Sequence, residues 1–150
     1  MGRVNKLQIG VDGFASTLER LVGEWKPPVL KTEPAYSNHL AEYLRTVLPE
    51  DTRVEREYRH NGTTCDVGVL YSGVIKDVAV MIEVKRNLQR KGDYDRLIGQ
   101  IEGLSPGKHW VAVVLVGDTD AALLGRLRAH CKPYMEDWDE SLRLVVVSGR

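Results

Sequence analysis

The fold is decided by residues 52–86, which have the sequence TRVEREYRHNGTTCDVGVLYSGVIKDVAVMIEVKR. Apolar and polar residues alternate over 52–60, 63–71 and 77–86, and this period of two predicts three β-strands. Asn61-Gly62 favours a two-residue turn between the first two strands, because both positions tolerate positive φ. The segment therefore predicts three consecutive strands of one sheet.

The turn at 61–62 and a loop at 73–76 fix the register of the three strands. The turn pairs His60 with Thr63, and the loop sets Asp66 opposite Glu83 in the next strand. Strand residues two positions apart share a face, so Lys85 lies beside Glu83. We therefore expect Asp66, Glu83 and Lys85 to converge at one spot.

The two faces of this sheet differ in character. One face is predicted to be apolar and covered by helices, and it includes Val54, Tyr58, Cys65 and Val69. The other face carries charge, including Glu83 and Lys85. A solvated sheet face with Asp66 as an exposed partner is the plain structural alternative.

The flanking sequence predicts helices and two further strands. Apolar spacing indicates a helix around 14–22, and Pro27-Pro28 must end it before an arm at 26–36. Ser37 can cap a second helix that ends at Pro49. Further along, 93–104 predicts a helix, 109–116 a central strand, 118–129 a helix and 142–147 a last strand. The order is ααβββαβαβ, with an N-terminal helix and arm over 1–36 and one domain over 37–150.

Paired carboxylates on a partly buried sheet face indicate a particular chemistry. Asp66 and Glu83 would raise each other's pKa unless a divalent cation lay between them. Oxygen ligands select Mg²⁺ or Mn²⁺, which bind through few carboxylates together with water and substrate phosphate. Lys85 can then stabilise charge on a phosphorane-like transition state and orient the attacking water. Hydrolysis of a phosphodiester is the reaction that this set of residues favours.

These residues match a known family pattern. Thr64-Cys65-Asp66, then Ile82-Glu83-Val84-Lys85, then Gln100 in the following helix resembles the PD-(D/E)xK nuclease superfamily, although the proline before the first acid is absent. Archaeal Holliday junction resolvases and restriction-type endonucleases look like the nearest branches. The resemblance implies an α/β fold with a restriction endonuclease-like αβββαβ core, a mixed central sheet flanked by helices, an extra N-terminal helix, and a C-terminal helix and strand.

The resemblance also implies roles for individual residues. Asp66 and Glu83 would bind the metal together with the backbone carbonyl of Val84, Lys85 would be catalytic, and Gln100 would hold water or a phosphate. The superfamily often adds a glutamate from the helix before the sheet. Glu42 is the candidate, but it points away from the apolar stripe and is expected to face solvent. Glu57, which the register sets opposite Asp66, is a hypothetical third ligand.

Charge distribution indicates the substrate and the assembly. The chain has no net charge, so a DNA partner must meet a local patch. Lys85, Arg86, Arg90, Lys91 and Arg96 outweigh Asp93 and Asp95 next to the predicted site, and the last four of these cations are expected to bind DNA. A solvated helix start would look similar. Cutting both strands of DNA requires two sites, which predicts a homodimer.

Other classes of protein are disfavoured. No GxGxxG, GxxxxGK[ST] or GxSxG motif occurs, so we expect no nucleotide cofactor, and the four scattered histidines do not predict a zinc site. The two cysteines lie far apart in sequence and no run approaches ~18 apolar residues, so we expect an intracellular protein without a membrane span. The prediction is a Mg²⁺-dependent endodeoxyribonuclease. The alternative is a nuclease-fold protein that binds DNA or assembles without turnover.

Overall fold

The computed structural model describes residues 2–60, 62–136 and 140–147. Within them the helices are α1 (Lys6–Asp12), α2 (Phe14–Glu24), α3 (Glu33–Val47), α4 (Lys91–Gly103) and α5 (Ala121–Met135). The strands are β1 (Arg53–Arg56), β2 (Arg59–His60), β3 (Thr63–Thr64), β4 (Val67–Ser72), β5 (Asp77–Arg86), β6 (Trp110–Val116) and β7 (Leu142–Val146). No helix in these ranges combines the length and the apolar character needed to span a membrane.

Five of the strands form a mixed central sheet in the order β1-β4-β5-β6-β7. The pairs β1–β4 and β4–β5 are antiparallel, whereas β5–β6 and β6–β7 are parallel and are connected through α4 and α5. The short strands β2 and β3 form a separate hairpin. A mixed sheet flanked by helices confirms the predicted α/β architecture.

Helices cover both faces of the central sheet. One core packs α1, α2 and α3 against residues such as Val67, Val80 and Val114. The second core packs α4 and α5 against Met81 and Val113. The expectation that helices cover only the apolar face is therefore wrong, because apolar residues of β5 and β6 on the charged face also require cover.

The predicted register is correct and the third predicted strand, 77–86, is found with the same bounds as β5, but each of the first two predicted strands is interrupted. Val54 pairs with Val69 and His60 pairs with Thr63, while Asn61 of the predicted turn lies outside the described residues. The alternation breaks after β1, where Glu57 has a φ of 53°. Tyr58 and Cys65 consequently pack in the core with α4 and α5 instead of on the face of Val54, where the sequence placed them.

Helix α3 begins at Glu33 with Thr32 as its cap, five residues before the predicted cap at Ser37. The Oγ1 of Thr32 accepts a hydrogen bond from the N–H of Ala35 at 3.2 Å, which caps the helix. Pro34 is compatible with the first turn because a backbone N–H at that position has no helical partner. The last residues of the predicted arm therefore belong to a helix, and Ser37 is buried within it.

Candidate functional site

The candidate site lies where β5 extends beyond its pairing with β4. The last β4–β5 pair is Val67 with Ile82, whereas β5 stays paired with β6 as far as Arg86. Asp66 immediately precedes β4, and its N–H donates to the carbonyl of Ile82 at 3.1 Å. The end of β5 is thus free on one edge, and Asp66 stands beside that edge.

The carboxylate of Asp66 takes the place of the missing strand partner. Its Oδ2 accepts a hydrogen bond from the N–H of Val84 at 2.7 Å. The N–H and C=O groups of one strand residue point to the same side of the strand, so the Val84 carbonyl faces this edge too. One carboxylate and one backbone carbonyl therefore lie at the same edge of β5.

Glu83 is buried beside this edge. The residue is only 4% exposed, and burial followed by the charges of Asp66 and Glu33 raises its pKa to about 8. Burial also raises the pKa of Asp66, although the bond from the Val84 N–H opposes this shift. The two acids are electrostatically coupled, and the alternative of a solvated sheet face is wrong.

Glu33 is a third acidic residue of the site, and the sequence analysis missed it. Its Oε2 accepts a hydrogen bond from the N–H of Arg86 at 3.1 Å and lies 3.1 Å from Nζ of Lys85. Its charge raises the pKa of Asp66 and of Glu83. The available signal was Thr32 followed by Glu33, a cap with an acid in the first turn, which favours a helix start.

Lys85 is held between two helices. Its side chain is 13% exposed, and Nζ lies 3.1 Å from Glu33 of α3 and 3.8 Å from Asp93 of α4. Its ammonium makes no ion pair with Asp66 or Glu83, all three being described residues. The predicted pairing therefore sets Asp66 opposite Glu83, whereas the ammonium of Lys85 lies with Glu33 and Asp93 instead of with the two acids.

The three other candidate residues lie on the surface. Gln100 is exposed on α4, and its side chain has no hydrogen bond to Asp66, Glu83 or Lys85 in the described structure. Glu57 is exposed, yet its N–H donates to the carbonyl of Asp66 at 2.9 Å and its charge contributes to the raised pKa of that acid. Glu42 faces solvent, as expected, and pairs with Arg45.

An open cleft of about 540 Å³ adjoins Lys85, and we call it the first cleft. It is lined by Glu33, Lys85, Arg86, Asn87, Gln89, Arg90 and Asp93. Of the predicted DNA-binding cations, Lys91 pairs with Asp95 at 2.7 Å and Arg96 with Asp93 at 3.5 Å. The side chains of Arg86 and Arg90 have no acidic partner among the described residues. The first cleft thus carries two cations that are available to an anion.

The oxygen set fits a hard divalent cation held partly by water. Among residues 2–60, 62–136 and 140–147, no three His, Cys, Asp or Glu side chains form a group that can hold a metal ion. Asp66, Glu83 and the Val84 carbonyl supply only part of a coordination shell. Mg²⁺ prefers such a shell, because it keeps several waters and binds substrate phosphate. The charge of Arg56 lowers the pKa of Asp66, but within the described ranges no Lys, Arg or His forms an ion pair with either acid.

Comparison with solved structures finds SfsA from Pyrococcus furiosus, in complex with Ca²⁺, at a TM-score of 0.45 and 13% sequence identity. The match covers 76% of this chain and 57% of that chain. No protein-family model and no curated protein matches the sequence. A similarity this distant assigns no function to the chain.

Proposed function

We propose that the protein is a divalent-metal-dependent nuclease that hydrolyses phosphodiester bonds in DNA, acting as an endonuclease. The observation that carries the proposal is the pair of half-buried Asp66 and buried Glu83 on the strand edge next to Lys85, which lines the open first cleft together with Arg86 and Arg90. Burial raises the pKa of Glu83 to about 8, so the metal-free protein avoids a pair of like charges by keeping this carboxyl protonated, and a divalent cation would stabilise the doubly ionised pair. The first cleft, lined by Lys85 and Glu33, is open to solvent, as a site for a charged polymer must be and a closed structural metal site is not.

Asp66, Glu83 and the carbonyl of Val84 would hold Mg²⁺ or Mn²⁺. When bound, such an ion activates a water molecule and stabilises negative charge on a phosphate. The N–H of Val84 orients Asp66, and the burial of Glu83 excludes bulk water from its side of the site. The protein thus fixes its own ligand atoms before any ion binds.

Lys85 is the proposed catalytic cation. Glu33 and Asp93 hold its ammonium from opposite helices, which restricts the long side chain to one position at the cleft. From that position it can stabilise charge that develops on the phosphate and orient the attacking water. Glu33 and Asp93 are positioning residues in this scheme.

Arg86 and Arg90 would bind phosphates on either side of the cleaved bond, because neither is neutralised by an acid. Lys91 and Arg96 are predicted to add weaker contacts, since each is already paired. Cleavage of both strands would require a homodimer, which sedimentation of the purified protein checks.

The test incubates the protein with branched, duplex and single-stranded DNA in Mg²⁺, Mn²⁺ or EDTA. Asp66→Asn and Lys85→Met are the test variants. Lys132→Met is the matched control, because Lys132 is an exposed lysine of α5 that pairs with Glu136 and has no proposed role. Metal-dependent cleavage that both test variants lose and the control keeps supports the proposal. DNA binding without cleavage in every metal supports the alternative of a nuclease-fold binding module.

A further inference from the structure

A second cleft of about 340 Å³ lies at the carboxyl ends of β5 and β6. It shares Arg86 and Asn87 with the first cleft, and it is lined by Val29, Leu30, Tyr36, Arg86, Asn87, Gly117 and Asp118. The two clefts therefore adjoin each other at Arg86 and Asn87. Arg86 stands at their junction.

Both walls of the second cleft are fixed by hydrogen bonds. The Oδ1 of Asn87 accepts from the N–H of Asp118 at 2.9 Å on one side. Gly117 has a φ of 72°, and a Cβ there would lie 2.2 Å from this same oxygen, so glycine is required. On the other side the hydroxyl of Tyr36 accepts from the N–H of Leu30 at 3.0 Å. The cleft is consequently preformed.

Arg86 is half-buried, but its guanidinium has no hydrogen bond or ion pair with any described residue. In contrast to the side chain, the backbone N–H of Arg86 donates a hydrogen bond to the carboxylate of Glu33. Removing a cation from water without giving it a partner costs free energy. A phosphate can compensate for this cost, because its oxygens accept two hydrogen bonds from one guanidinium. The junction of the two clefts is therefore suited to an anion.

The second cleft beyond Arg86 has different chemistry. Val29 and Leu30 contribute apolar side chains to its lining, while the carboxylate of Asp118 disfavours a second phosphate there. An uncharged ring with polar edges suits this lining, and a volume of about 340 Å³ holds one nucleoside but not a segment of duplex.

We infer that the second cleft binds one unpaired nucleotide whose phosphate lies on Arg86, so the substrate carries a single-stranded segment next to the cleaved bond. This inference rests on the proposed function, because it takes the ligand to be the DNA strand that the carboxylates cut.

The experiment measures binding by fluorescence anisotropy in EDTA, where no cleavage occurs. The probes are a blunt duplex and the same duplex with a short single-stranded tail at either end. Arg86→Gln and Leu30→Glu are the test variants, and Leu30→Glu alters the second cleft without changing Arg86. Arg90→Gln is the control, since it removes the same charge outside the second cleft. Thermal unfolding confirms that each variant folds.

The wild-type protein is expected to bind one tailed duplex about tenfold more tightly than the blunt duplex, the effect of one well-bound base. Both test variants are expected to lose this preference. A further variant, Arg86→Lys, retains the positive charge and is expected to keep part of the preference. Arg90→Gln is expected to weaken the binding of both probes by the same factor. Equal binding of tailed and blunt probes, equal effects of Arg86→Gln and Arg90→Gln, or no binding of any probe overturns the inference. The proposed function is tested separately by the cleavage assay. It fails if no metal supports cleavage, whatever the binding assay shows.

Discussion

The N–H of Val84 donates to Oδ2 of Asp66 at 2.7 Å, where a regular sheet would give it a backbone carbonyl. This bond joins the two strands at the point where their ladder ends. It also places a carboxylate beside Glu83 and the Val84 carbonyl. One local interaction thus ends a strand pair and assembles the proposed metal ligands.

Replacement of Asp66 separates these two roles. Asp66→Asn keeps an oxygen that accepts the Val84 N–H, so the fold is retained while Mn²⁺ binding and cleavage are lost. Asp66→Ala leaves this N–H without a partner. It is therefore expected to lower the free energy of unfolding by roughly 1–3 kcal/mol more than Asp66→Asn does. Urea unfolding and calorimetric Mn²⁺ titration measure the two effects. Equal stability of the two variants would show that the bond has no structural role.

Glu83 is expected to make the metal-free protein less stable as the pH rises. Its pKa rises from an ordinary value of 4.5 to about 8 on folding. Such a group stabilises the fold most below pH 4.5, and this contribution disappears as the pH rises through about 8, at about 1.4 kcal/mol for each unit of pKa difference.

Glu83→Gln removes this titration. In EDTA above about pH 8 the variant is therefore expected to melt at a higher temperature than the wild type, although it loses cleavage. Thermal unfolding followed by circular dichroism between about pH 6 and about pH 9 tests this. Identical pH profiles for both proteins would mean that Glu83 is not titrating in a buried site.

Metal binding is expected to depend on pH in the opposite direction. Below about 8 the Glu83 carboxyl holds a proton that a cation must displace. The affinity for Mn²⁺ should therefore increase as the pH rises to about 8 and then level off, with proton release on binding. Calorimetry in buffers of different ionisation enthalpy measures both quantities. An affinity that does not change over this range contradicts the role of Glu83.

Lys85 is expected to act on the chemical step more than on the metal. Lys85→Met keeps the unbranched stem of the side chain but removes its ammonium group, so single-turnover cleavage should fall roughly 100-fold or more. Mn²⁺ affinity should be unchanged or higher, because a nearby positive charge is gone. Glu33→Gln, which removes one holder of Lys85, should give a smaller loss of rate. A Lys85→Met variant that cleaves normally but binds Mn²⁺ poorly would assign Lys85 a structural role.

The sequence predicted the register of this site because local signals determine it. A turn at 61–62 and a short loop at 73–76 left only one way to pair the strands, and Tyr71 does pair with Val78. The position of Asp66 next to Glu83 follows from that pairing. Local turn chemistry was therefore sufficient for the two acids.

Other features depend on tertiary packing and had weak signals or none. Glu57 adopts a positive φ that its side chain does not favour, so nothing in the sequence indicated that Tyr58 and Cys65 would change face. Asp93 reaches Lys85 only because α4 packs over the sheet. Glu33 had a local signal as part of a helix start. Its contact with Lys85, however, joins residues that are far apart in sequence and depends on where α3 packs.

Crystals soaked in Mn²⁺ test the central claim most directly, through anomalous scattering at the manganese edge. The proposed site predicts one peak within coordination distance of Asp66, Glu83 and the carbonyl of Val84, and no such peak in Glu83→Gln crystals. A peak between Glu33 and Asp93 instead, or no peak near Asp66 and Glu83, would contradict a metal site formed by these two acids.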